Sequence, residues 1–213
     1  MADKLVELRP QDKLKIERFL TKIKNDIYPE PRYLIHDQLT RQGIDDLLEK
    51  YPLDQSATIL DVGCGQGPAL EVFTEYGYQP TGITLGEEDV NTCKQKGFDV
   101  HEMDQSFLDF DDHSFDCLWC RHCLEHSIFP YFTLFEWHRV LKSGGLIYIE
   151  LPAPETTFHH EFNANHYSVL GASAWSDLIQ RSGFDLLEAT AFSFALNDQG
   201  STDTYYKFIA RKK

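Results

Sequence analysis

Ile59-Leu60-Asp61-Val62-Gly63-Cys64-Gly65-Gln66-Gly67 is the stretch that decides the fold. Ile59 to Val62 is an apolar, β-branched run without strict alternation, the pattern of a parallel strand covered on both faces. Three glycines at alternate positions follow, and then Pro68-Ala69-Leu70-Glu71, where proline suits the first turn of a helix. Glycine permits positive φ and lets a ligand lie against bare backbone, while the helix start offers N–H groups that have no partner of their own. The stretch reads as strand, turn, helix, with a nucleotide-type site at the turn. Its Gly-x-Gly-x-Gly spacing is tighter than the Gly-x-Gly-x-x-Gly that seats a pyrophosphate on a helix, which argues against a dinucleotide.

Working outward, the chain alternates strand and helix signals. Upstream, Leu14, Ile16, Phe19, Leu20, Ile23 and Ile27 recur at helical spacing, Tyr28-Pro29-Glu30-Pro31 breaks the pattern, and a second helix is predicted from Tyr33 to Lys50. Downstream, the first core helix is expected over Ala69–Tyr76 and closes at Gly77, and the second strand over Gln79–Leu85. A third strand follows over Gly97–Met103 and a fourth over Phe115–Cys120. Pro130 opens a helix that runs down to Gly144, Leu146–Glu150 is the fifth strand, and Ala174–Arg181 is a last helix. The end of the chain reads as an antiparallel hairpin, Phe184–Leu196 and Thr204–Ala210, around a turn at Asn197-Asp198-Gln199-Gly200.

With Asp61 ahead of its glycines, the opening stretch resembles the first motif of class I S-adenosylmethionine (SAM) dependent methyltransferases of the small-molecule type. Three later segments extend the likeness: Ser114 to Trp119 as the fourth strand, Leu124-Glu125-His126 after it, and Glu136 to Gly145 before the fifth. The resemblance covers Ile59 to Pro152. It implies an α/β fold with a Rossmann-like seven-stranded methyltransferase sheet, an N-terminal helical cap over 1–55, and a methyltransferase domain over 56–213 with a lid at about 153–170. It also implies SAM as cofactor and S-adenosylhomocysteine as product.

The resemblance places the cofactor on Asp61, Gly63, Gly65 and Gly67. At the end of the second strand the chain departs from the commoner pattern, since Thr84 stands where most relatives carry an acid for the ribose hydroxyls. Thr84 and Leu85 resemble the version in cyclopropane fatty acid synthases and some N-methyltransferases, so Thr84 is expected on ribose and Leu85 on adenine. Glu87 and Glu88 are alternative carboxylates, or simply favourable first-turn acids. Asp104 and Gln105 are assigned to adenine. Tyr33, His36, Gln38 and Arg41 are candidates for the cofactor carboxylate or the substrate, and Arg121, delivered to the crevice after strand four, is expected to bind the cofactor.

Because open α/β sheets bind ligands at the carboxyl ends of their strands, His122, Glu125 and His126 after strand four are candidates for catalysis. The long connection after strand five adds His159, His160, His166 and Tyr167. An oxygen acceptor wants a general base, for which histidine oriented by a carboxylate is best suited near neutral pH. His166, flanked by Asn165 and Tyr167, is the expected base, while His159 and His160 are expected on the exposed side. As a set these residues point to methyl transfer to oxygen or nitrogen of a small-molecule metabolite, with sugar or secondary-metabolite hydroxyls favoured. Lipid carbon methylation or cyclopropanation, and a non-catalytic SAM-binding regulatory subunit, are the competing readings.

Composition bounds the partners. The 213 residues carry a net charge of −14, and the largest basic cluster is Arg211-Lys212-Lys213, so no phosphate-neutralising face for nucleic acid is expected. No apolar run approaches the ~20 residues that span a bilayer, and Met1-Ala2-Asp3-Lys4 opens no signal-peptide pattern, so a cytoplasmic protein without membrane partners is expected. Cys117, Cys120 and Cys123 have cluster-like spacing with His126 behind them, but a three-residue offset on a strand puts two of the thiols on opposite faces. His159, His160, Glu161 and His166 also hold donors for a divalent ion, at a spacing that matches no strong motif. No metal is expected. Oligomeric state is not legible.

Overall fold

The computed structural model of the chain describes residues 7–25, 32–195 and 202–213. The N-terminal tetrapeptide, the Tyr28–Pro31 break and the Asn197–Gly200 turn of the sequence reading lie outside them. Two helices, α1 (Pro10–Asn25) and α2 (Leu34–Lys50), come first. The core then runs β1 (Ile59–Val62), α3 (Pro68–Glu75), β2 (Thr81–Thr84), α4 (Glu87–Gln95), β3 (Asp99–Glu102) and β4 (Phe115–Arg121). It continues through α5 (Pro130–Val140), β5 (Leu141–Pro152), α6 (Ala172–Arg181), β6 (Phe184–Ala195) and β7 (Thr202–Lys212). The sheet has seven strands in the order β3-β2-β1-β4-β5-β7-β6. Only β7 runs antiparallel to its neighbours, pairing with both β5 and β6.

Alternate residues on the strands sort the core into two layers, because successive side chains leave a strand on opposite faces. Leu60, Val62, Leu118, Cys120, Ile147 and Ile149 pack with Trp137 of α5 and Trp175 of α6. Ile59, Cys117, Trp119 and Tyr148 pack on the other face with Phe73 of α3 and with Ile44 and Leu47 of α2. Cys117 and Cys120 therefore sit on opposite faces, as their offset dictates. The fifth strand begins earlier than the sequence reading, at Leu141, because fully buried Leu141 pairs with Phe115 directly after α5.

The two N-terminal helices are held differently. Gly43 lets α2 approach the sheet: a Cβ there would lie 2.7 Å from the Tyr148 hydroxyl, and Tyr148 itself stacks on Trp119 at 4.0 Å. α1 has no buried residue. It meets the sheet through the exposed Lys24–Glu102 ion pair and turns Leu20 and Ile23 toward a cavity at the strands' carboxyl ends.

Glu71 of α3 ties the segment before α2 to the end of α4 beside the glycine turn. Arg32 donates Nη1 and Nη2 to its two carboxylate oxygens at 3.0 and 2.7 Å, and Lys96 donates at 2.8 Å to Glu71 and at 2.8 Å to the Gln66 carbonyl. The Arg32 bonds, against a partial burial penalty and with help from Lys96, lower the Glu71 carboxyl from 4.5 to about 2. A depressed carboxyl stabilises the fold above its unfolded value and loses that contribution as pH falls. Glu71→Gln should therefore cost about 1 kcal/mol at neutral pH, given side chains a third exposed, or about 2–4 °C in melting temperature. Thermal melts should converge with wild type as pH drops from 4.5 toward 2; a difference that stays constant over that window would show that the network contributes packing alone.

Candidate active site

Two cavities open at the carboxyl ends of the strands and meet at Gly63, Gly65, Gln66, His122 and His126. The first, about 220 Å³, is walled by Thr84 and Leu85 from the end of β2, and by Met103, Asp104 and Gln105 from the end of β3. Its character is mixed, an apolar slot with a few polar groups at one rim. The glycine turn supplies its floor. Gly65 has φ +49, and a Cβ built there meets nothing within 4 Å, so bare backbone faces open space. Gln105 donates Nε2 to the Cys123 carbonyl at 2.8 Å, which leaves its buried Oε1 without a hydrogen-bond partner at the wall. Asp104 spends Oδ1 on the Ser106 N–H at 2.7 Å.

The second cavity, about 320 Å³, adds a dense set of charged and imidazole side chains to an apolar portion of its wall. Arg121 and His122 at the end of β4 meet Tyr205 of β7, His36 of α2, and His160 and His166 from the connection after β5. Beneath them lies Glu150, 1% exposed, with Oε1 2.6 Å from Arg121 Nε and Oε2 accepting from the Tyr148 hydroxyl at 2.9 Å. Burial alone would raise the Glu150 carboxyl, but the Arg121 guanidinium and then His122 outweigh it and hold it below its ordinary value. His36 accepts from the Arg121 guanidinium at 3.3 Å, and burial together with that positive charge pushes its imidazole down to about 4.

His122 stands at the junction in the left-handed region, φ 53. Its Nδ1 is 3.5 Å from Glu125 Oε1 and its Nε2 is 3.5 Å from Glu150 Oε1. Burial and Arg121 favour the neutral ring, but the carboxylates of Glu125 and Glu150 facing it prevail and raise its pKa above the ordinary value. Both carboxylates are 1% exposed, so the charge they offer the ring is little screened.

Most of the residues singled out by sequence converge here, and several do not. Gly63, Gly65, Thr84, Leu85, Asp104 and Gln105 line the first cavity, and His122 and His126 line both. Glu125, His166 and Arg121 belong to the second cavity alone, so Arg121 sits apart from the Thr84 side. Asp61 lines neither. It points with Ile59 under the sheet, 3% exposed, and burial, reinforced by the Cys93 thiol, holds its carboxyl well above the usual range. Gly67 lines neither as well, being the left-handed cap of α3 packed on Cys93. Of the N-terminal candidates, Tyr33 and His36 reach the second cavity, Gln38 is exposed, and Arg41 is held on the surface by Glu75 at 2.8 Å.

The connection after β5 corrects the reading of its histidines. His159 is exposed and paired with Glu161 at 3.2 Å, as expected. His160 is turned inward, its Nε2 2.8 Å from Asp203 Oδ2. His166 is oriented by other groups than its sequence neighbours: Nδ1 donates to the His160 carbonyl at 3.0 Å, and Nε2 faces Asn163 Nδ2 at 3.3 Å. The segment is bonded to the turn after β4, through His126 Nδ1 to the Asn165 carbonyl at 2.9 Å and Ser168 Oγ to the Ser127 carbonyl at 2.7 Å. Glu150, Tyr205, Asp89 and Asn163 were missed by sequence reasoning. Glu150 alone carried a local signal, its place near the carboxyl end of a parallel strand.

No helix among the described residues is long and apolar enough to cross a membrane. Residues 60–149 match the sequence model of a family described as a methyltransferase domain. The chain is 28% identical over 131 residues to 27-O-demethylrifamycin SV methyltransferase of Amycolatopsis mediterranei, covering 55% of this chain and 48% of that protein. It is 26% identical over 133 residues to ubiquinone biosynthesis O-methyltransferase of Coxiella burnetii, covering 60% and 54%. The alignments span about half the length of these relatives. A SAM-dependent methyltransferase of Methanosarcina mazei superposes with a TM-score of 0.64 at 18% identity, covering 78% of this chain and 96% of that one. Motif order and strand order agree with the family match, in which the residues similar to a methyltransferase domain run from β1 into β5 of the sheet.

Proposed function

We propose that this protein transfers a methyl group from SAM to an oxygen atom of a small polar metabolite. The observation that carries the reading is the meeting of two unlike cavities at the glycine turn, one an apolar slot and the other lined by histidines and acids. The two relatives, named for a rifamycin and for ubiquinone biosynthesis, support a small-molecule acceptor.

The first cavity fits the cofactor. Its open space over Gly65 and the orphaned Gln105 Oε1 are what a ligand with a polar adenine edge and a close backbone approach would fill. Gly63 and Gly65 would hold the amino-acid portion, Thr84 the ribose, and Leu85, Asp104 and Gln105 the adenine. When bound, SAM supplies an electrophilic methyl on a sulfonium. The chain's own residues do the rest. Leu20 and Ile23 of α1 cover the slot and keep water from it. In the second cavity Tyr205 and Arg121 offer donors that orient the acceptor.

His122 is the general base in this reading. It lines both cavities, and Glu125 and Glu150 stabilise the imidazolium that forms when its ring takes the acceptor's proton. His166 lines only the second cavity, apart from the slot that would hold the methyl donor, which makes it a wall residue there.

The ribose contacts can be tested separately. Glu87 and Glu88 are exposed and off the cavity, whereas Asp89 lines it, with Oδ2 lying over Gly86. Thr84→Ala should weaken SAM several-fold, the worth of one neutral hydrogen bond at about 1 kcal/mol. Asp89→Asn should cost about twice that, with Glu87→Ala and Glu88→Ala near wild type by calorimetry. Wild-type affinity in Asp89→Asn would leave the ribose to Thr84 alone.

Incubation with methyl-labelled SAM and a metabolite extract tests the whole reading. The expected product is a labelled small molecule carrying the methyl on oxygen. Tight SAM binding with no labelled product would instead support a non-catalytic SAM-binding subunit, and label in a lipid chain would support carbon methylation.

A further inference from the structure

We propose that Glu125, His126 and His166 form a binding site for one divalent first-row transition ion, of the zinc or manganese type, at the wall of the second cavity. One donor atom from each of the three lies within 4.8 Å of the others, the one such grouping of histidine, cysteine and acid side chains among the described residues. The residues come from the turn after β4 and from the connection after β5, which the Asn165 and Ser127 carbonyl bonds lock against each other.

Three further observations point to a ligand. Glu125 is 1% exposed, lines the cavity, and has neither carboxylate oxygen in a hydrogen bond; its contact with His122 is a loose one at 3.5 Å. A buried carboxylate so poorly satisfied is costly unless a cation completes it. Both histidines, moreover, direct Nδ1 at a backbone carbonyl, His126 at Asn165 and His166 at His160. That arrangement makes Nδ1 the N–H and leaves the lone pair on Nε2, as the outer partners of metal-ligating histidines do.

The amide of Asn163 gives an independent check on the His166 tautomer. Its Oδ1 accepts from the Asn165 N–H at 3.0 Å, so its Nδ2 faces His166 Nε2 at 3.3 Å, which must therefore be the acceptor. An ion would take over that long contact. Two imidazoles and one carboxylate suit zinc, iron or manganese and leave coordination positions open. The donors lie within 4.8 Å of one another, and bonds of about 2.1 Å would require the rings to turn inward on the ion. The use of the ion rests on the proposed methyl transfer: Glu125, His126 and His166 all line the second cavity, so an ion they held would polarise an acceptor oxygen there and ease loss of its proton to His122.

The test is binding of Co2+, and its displacement by Zn2+, to the chelator-stripped full chain without SAM, followed by visible absorption and calorimetry. One Co2+ per chain is expected. Glu125→Gln and His166→Ala should each weaken it at least tenfold, and His159→Ala, on the exposed side, should leave it unchanged. Absence of stoichiometric binding, or wild-type binding by both cluster variants, would overturn the site. Should a variant not fold, as judged by circular dichroism, nitrogen-15 shifts of the unsubstituted chain decide. Addition of Zn2+ should move Nε2 of His126 and His166, and movement confined to other histidines would overturn the proposal. Because these readouts need no SAM, a missing methylated product would sink the proposed reaction and leave the metal site standing, and the reverse holds as well.

Discussion

Gly65→Val should lower SAM affinity at least 100-fold, about 3 kcal/mol. Two causes act together. At φ +49 any side chain is strained, by about 1–2 kcal/mol for an ordinary residue and more for a β-branched one. The branched side chain also enters the open space above the turn, where no protein atom lies within 4 Å of the new Cβ. Gly65→Ala separates the two, since it keeps most of the backbone strain and occupies less of the space; an intermediate loss is expected. Calorimetry with SAM and S-adenosylhomocysteine measures both variants, with circular dichroism to confirm that the turn's strain has not unfolded the domain. Folded Gly65→Val with wild-type affinity would put the cofactor elsewhere.

His122→Asn should lower kcat roughly 100-fold or more while SAM affinity stays within a few-fold. Asparagine is the informative replacement, because His122 has φ 53 and asparagine tolerates the left-handed region better than alanine. The substitution removes the ring that stands between Glu125 and Glu150 and spares the glycine turn. His166→Ala should raise the acceptor KM and change kcat less. If the two variants exchange these effects, His166 is the base and His122 a wall residue. If neither changes the kinetics, the acceptor does not pass through the second cavity.

How these residues come together shows which information was local. The glycine turn, β1, and the alternation of strands and helices through α6 are written in short-range chemistry. Period 2 against period 3.6, proline at a helix start and glycine at its end need no partner to be read. Once a parallel sheet is inferred, topology places the ends of β2, β3 and β4 at one rim, and the family resemblance names Thr84, Leu85, Asp104 and Gln105 there as candidates; with His122 they all line the first cavity.

Tertiary structure decided the rest. Asp61 was singled out with the glycines it precedes, yet alternation along β1 turns its side chain with Ile59 under the sheet, away from both cavities. Glu150 and Tyr205 reach one site because β7 runs antiparallel beside β5 and sets Tyr205 opposite Pro152, a pairing no local pattern reports. His36 joins them only because α2 packs against Trp119 and Tyr148, 85 positions from the Arg121 it bonds. His159 and His160 are adjacent in sequence and opposite in fate, one exposed and one on Asp203. An irregular segment has no period from which to read a facing, so its side chains are aimed by the partners that the folded sheet brings to them.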